Sequence, residues 1–97
     1  MRYTINSDTF YLKAKNAYLK CISSDENSFL RKEIDIPIKS IILRNESISI
    51  KFSQNNEDSY VIKISINLLN KQDRIIGNYF YFEDHNGNAI DDMLVIK

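Results

Sequence analysis

The chain has 97 residues, enough for one domain with its own apolar core, so residues 1–97 are read as a single domain. Thirteen Lys and Arg balance thirteen Asp and Glu, so the net basic character of a general nucleic-acid binder is missing. Cys21 stands alone, which rules out an intramolecular disulfide.

The first eight residues hold no apolar export segment. No apolar run approaches the roughly 20 residues that a helix needs to cross a bilayer. The expectation is a soluble, cytoplasmic protein with no membrane partner. Ile, Tyr and Phe dominate the apolar set, and these types favour a pleated, half-buried surface. With two Gly and one Pro, the turns fall to Asn, Asp and Ser.

Residues 2–5 are a short predicted strand, and 6–8 a turn. Residues 9–22 support two readings. Phe10, Leu12 and Ala14, then Ala17, Leu19 and Cys21, alternate as two strands. Tyr11, Ala14, Tyr18 and Cys21 recur at helical spacing, with Ser7 or Asp8 as a cap. The strand reading is preferred because everything after it is β. Residues 23–28 are a polar loop, and 33–36 an alternating strand that ends at Pro37. Residues 38–43 suit a further strand or a single helical turn.

The strongest signal lies in 45–69. Ile48, Ile50 and Phe52 alternate with Ser47, Ser49 and Lys51. Tyr60, Ile62, Ile64, Ile66 and Leu68 alternate with Val61, Lys63, Ser65 and Asn67. Each run has one apolar and one polar face, as in a half-buried antiparallel hairpin. The polar stretch 53–59 reads as its flexible tip, too long for a two-residue turn. Ile50, Phe52, Ile62, Ile64 and Ile66 are then core, and Ser65 surface.

A polar turn at 70–73 precedes a strand over 74–82, in which Gly77 signals a bulge or a close backbone approach. Tyr79, Phe80, Tyr81 and Phe82 place one aromatic pair on each face. Asn86-Gly87 marks the last hairpin turn, and 93–96 the last strand.

No catalytic constellation emerges. Residues 83–92 hold Glu83, Asp84, His85, Asp91 and Asp92, but counting from Asp84 puts Gly87 fourth and Val95 twelfth. A calcium-binding helix–loop–helix motif needs Gly sixth and Glu twelfth, so no metal is assigned. Cys21 and His85 would serve an enzyme only as a Cys–His pair, and nothing local marks Cys21 as activated. With two scattered Gly there is no phosphate-cradling loop, and no cofactor is assigned. Charge is uneven. Arg2, Lys13, Lys15 and Lys20 against Asp8 give residues 1–22 a balance of +3. Arg74 and Lys97 against Glu83, Asp84, Asp91 and Asp92 give residues 74–97 a balance of −2. The two ends either compensate each other within the fold or present a two-signed surface.

Leu19-Lys20-Cys21, Glu33-Ile34-Asp35-Ile36 and the run from Asn45 to Phe52, with an echo over 82–88, are similar in order to motifs of the cyanovirin-N homology lectins. That resemblance implies two tandem β repeats and sugar binding. The paired cysteines of the family are absent, Ile48 stands where its turn glycine would be, and the middle segment is shorter.

The expectation is one antiparallel β-sandwich or small barrel of six to eight strands, with room for one short helix within 9–22. Function is expected in a non-enzymatic protein-binding module of the inhibitor or immunity type. A lectin-like domain and an enzyme using Cys21 or His85 are the alternatives. The expected contact residues are Tyr79, Tyr81, Glu83, Asp84, Asp91 and Asp92. Phe, lacking a polar group, is assigned to the core. Tyr is assigned to the interface, with the acids as a rim that selects a basic protein and repels nucleic acid.

Overall fold

Residues 7–23 contain no Gly or Pro, and only Thr9 and Ile22 are β-branched, a composition that favours a helix. The computed structural model, which describes residues 7–24, 38–53 and 56–97, has one helix there, α1 (Ser7–Ser23). Asp8 in the first turn and Lys20 in the last suit the helix dipole. This corrects the preferred two-strand reading. Ala14, Tyr18 and Ile22 recur every four residues and are buried, while Phe10, Tyr11, Ala17 and Cys21 widen the stripe. Leu12 and Leu19, which made the strand alternation look complete, point outward at 59% and 53% exposure.

A single 3-10 turn (Ile38–Ser40) leads into the sheet. Its strands are β1 (Ile42–Ser53), β2 (Asn56–Leu69), β3 (Ile75–Asp84) and β4 (Ala89–Ile96), in the order β1-β2-β3-β4 and all antiparallel. The hairpin read in 45–69 is therefore present, pairing Ile48 with Ile64 and Ile50 with Ile62. Its tip differs from the expectation: pairing resumes at Ser53 and Asn56 after a shift of register beyond Phe52. Among the described residues a helix, rather than a second sheet, covers this four-stranded sheet, so the sandwich or barrel of six to eight strands is not seen. The strands predicted at 2–5 and 33–36 and most of the loop at 23–28 lie outside the described residues. The chain is mostly β, one small domain, and among the described residues a helix and a meander stand where the lectin resemblance implied tandem β repeats.

Register assigns the two faces, because directly paired residues share a side of the sheet. Ile62, Ile64, Ile66 and Leu68 of β2 pair with Glu83, Tyr81, Tyr79 and Gly77 of β3, and all lie under α1. This is the core, together with Ala14, Tyr18 and Ile22. α1 lies mainly over β2 and β3. Ile50 and Phe52 share that face but sit out on β1, where they stay 39% and 59% exposed, so their assignment to the core fails. Ser65, expected at the surface, is buried on the other face of the central strand.

The two hairpin turns share one construction. Asn70 Oδ1 accepts the N–H groups of Gln72 and Arg74, as Asp84 Oδ1 accepts those of Asn86 and Asn88. The left-handed residue is Asp73 (φ 61°) in one and Gly87 (φ 83°) in the other. Each is a three-residue loop that ends on a left-handed position.

Candidate partner-binding surface

The β3–β4 hairpin places the expected contact residues on both sides of the sheet. Tyr79 and Tyr81 point under α1 at 0% and 7% exposure, whereas Phe80 and Phe82 are half-buried on the opposite face. The expected assignment of Phe to the core and Tyr to the surface is reversed. The physical reason is that both hydroxyls find carboxylates on their own face. The Tyr79 hydroxyl donates to Asp92 Oδ2 at 2.8 Å, and the Tyr81 hydroxyl to Glu83 Oε2 at 3.1 Å. Once its hydroxyl is paired, a tyrosine buries as much ring as a phenylalanine. Strand positions i and i+2 share a face, so the Tyr81–Glu83 pair was readable in advance.

Glu83 is not part of an exposed rim. It is 2% exposed and pairs with Lys13 Nζ of α1 at 3.5 Å. Here the positive first segment and the negative last one compensate each other. Burial, reinforced by these carboxylates, pushes the phenols of Tyr79 and Tyr81 above the usual tyrosine range. Burial and then Asp92 push the Cys21 thiol up in the same way. Asp92 faces a cleft of about 380 Å³ between α1 and β4 that Ala17, Lys20 and Cys21 also line.

Asp84 remains near the surface, but its carboxylate is committed to the turn. Hydrogen bonds from the Asn88 and Asn86 backbones hold it below the usual carboxylate range. Asp91 pairs across the ladder with Phe82, next to a shift of register, and also borders the cleft beside α1. Phe80 pairs with Met93 and Asn78 with Val95 on the face away from α1, where Met93 is 49% exposed. Lys63 Nζ lies 4.6 Å from the centroid of the Phe80 ring, within cation–π range. Met93 and Val95 are the contact candidates that sequence reasoning missed. Alternation from Tyr79 through the Asn-Gly turn would have put them beside Phe80.

Cys21 and His85 line different clefts. His85 sits in a depression of about 370 Å³ on the β1–β2 side of the sheet, with Phe52 and Tyr60. There the Phe52 and Tyr60 ring centroids are 5.6 Å apart and those of Tyr60 and His85 5.9 Å. Among the described residues no three His, Cys, Asp or Glu side chains gather as a metal site would need, and no helix is long and apolar enough to cross a membrane. Comparison with family models, curated proteins and solved structures returns no match.

Proposed function

We propose that this chain is a small, non-enzymatic protein-binding module of the inhibitor or immunity type, occluding a basic partner with the sheet face of its β3–β4 hairpin. The supporting observation is the arrangement on that face. Phe80, Phe82, Met93 and Val95 form an apolar band, and Asp91 stands beside Phe82. A cation over a ring next to a carboxylate is a favourable seat for arginine. Lys63 already occupies the equivalent place over Phe80. An arginine of the partner would stack on Phe82 and pair with Asp91. The Tyr pair contributes from beneath, by fixing β3 and β4 against α1.

The test is capture from the native host by tagged wild type, Phe82→Ala, Asp91→Asn and the control Leu12→Ala, with each variant checked for folding. The Phe82 change should raise the off-rate of the captured protein at least about 10-fold, and the Asp91 change should mainly slow association at low salt. If both folded variants hold the partner as wild type does, this face is not the interface.

A second reading, carbohydrate binding, is supported by the depression formed by Phe52, Tyr60 and His85, since an exposed ring can stack against the apolar face of a sugar. Calorimetric titration with neutral monosaccharides, repeated on Phe52→Ala, tests it. No heat with wild type, or unchanged heat with the variant, removes that reading.

A further inference from the structure

Strand β4 is an edge of the sheet among the described residues, and it has features of a strand that pairs. Ile90, Met93 and Val95 are 51%, 49% and 38% exposed along it. The Lys97 N–H donates to the Ile76 carbonyl at 2.8 Å, so the ladder continues through the last residue of the strand and beyond it. Backbone groups alternate in direction along an antiparallel strand. Lys97, Val95, Met93 and Asp91 therefore turn their N–H and C=O toward β3, and Ile96, Leu94 and Asp92 turn theirs outward. The Asp92 N–H confirms this direction, because it is closed off by Asp91 Oδ1 at 2.8 Å instead of by β3.

We infer that β4 pairs antiparallel with β4 of a second copy of this chain about a two-fold axis at Leu94, joining the two sheets into one. Hydrogen bonding restricts the register. Only outward-pointing residues can bond across the axis, so even-numbered residues must face even-numbered ones, and odd face odd. Charge then selects among the registers that remain. With Leu94 on the axis, Asp91 faces Lys97 of the copy, Met93 faces Val95, and Asp92 faces Ile96. Moving the axis one position toward the start of the strand sets Asp91 against Val95. One position further sets Asp92 against Asp92, where like charges repel. Moving it the other way sets Lys97 against Met93. The Leu94 register gives both copies an ion pair and covers the exposed Met93 and Val95. Without a partner, the Asp91 carboxylate caps the Asp92 N–H and blunts the edge. On pairing, that N–H passes to the Ile96 carbonyl of the copy, and the carboxylate is released to meet Lys97. The pairing and the arginine seat proposed above draw on the same Asp91 carboxylate, so the two compete for it, although the pairing does not depend on that proposal.

Sedimentation equilibrium of the full chain over a wide concentration range tests this, with Asp91→Lys, Lys97→Asp and the double exchange, each checked by its thermal melt. Wild type should dimerise reversibly. Each single change should weaken the dimer at least about 10-fold by placing like charges opposite each other, and the double exchange should restore it. A wild type that stays monomeric up to about millimolar concentration would falsify the pairing. A dimer indifferent to both single changes, or a double exchange that fails to recover while folded, overturns it as well.

Discussion

Tyr18 shows how an individual residue can be well packed and still carry a cost. Its ring meets Tyr79 edge-on, with centroids 5.5 Å apart at 74°, and it is 2% exposed. Its hydroxyl has no hydrogen-bond partner among the described residues. A buried hydroxyl without a partner costs about 1–3 kcal/mol, whereas the ring contact stabilises. Tyr18→Phe should therefore hold or raise stability by up to about 1 kcal/mol in urea denaturation, despite removing a polar group from the core. A loss larger than about 1 kcal/mol would mean that the hydroxyl is satisfied after all. Ile64 is the opposite case. It is fully buried under α1, and Ile64→Ala should lose about 2–5 kcal/mol. Phe52→Ala, at 59% exposure on the same face, should lose far less. Alternation made that shared face legible. How far α1 would reach across it was not legible, because coverage depends on where a separate element docks.

Among the elements, β3 approaches β4 closely at Gly77. A Cβ built there would lie 2.5 Å from the carbonyl oxygen of Val95, a backbone atom of β4 that cannot swing aside. The ladder between β2 and β3 also shifts register here, between Leu68 and Leu69. Both the bulge and the close approach were readable from one glycine inside an aromatic strand. Gly77→Ala should cost about 1–3 kcal/mol by forcing β4 outward. Amide exchange should show the loss concentrated in β4. Uniform loss across the sheet would argue against a local clash. The helix was the least legible element. Its seventeen residues satisfy both periods, and only the buried set of Ala14, Tyr18 and Ile22 decides between them. Local propensity is divided there, Ala, Leu and Lys favouring a helix and the aromatics and Cys not, so docking on the sheet decides the outcome.

At the scale of the whole molecule, the packing of α1 on the sheet buries three tyrosines, Tyr18 of the helix and Tyr79 and Tyr81 of β3, and this makes the fold sensitive to alkali. Burial is the largest cause that pushes all three phenols above their ordinary value of about 10. Cys21 adds to the effect at Tyr18, Asp92 at Tyr79, and Glu83 at Tyr81. In the unfolded chain they ionise near pH 10, while in the folded chain they keep their protons to higher pH. Above that point the folded state binds more protons than the unfolded state, so stability falls as pH rises. The contribution is complete below about pH 10 and is lost as pH climbs toward the folded values. Each such tyrosine adds a slope of about 1.4 kcal/mol per pH unit. Urea denaturation from about pH 8 to about pH 11 should show a flat region followed by a steep fall. Tyr79→Phe, measured beside it, should make that fall shallower by the slope of one tyrosine, which separates the effect from lysine titration common to both proteins. Phenolate absorbance should rise in two stages, with the buried phenols ionising only as the sheet unfolds. If all six tyrosines of the chain ionise together near pH 10 while the fold persists, or if Tyr79→Phe leaves the slope unchanged, that packing does not seal these phenols from water.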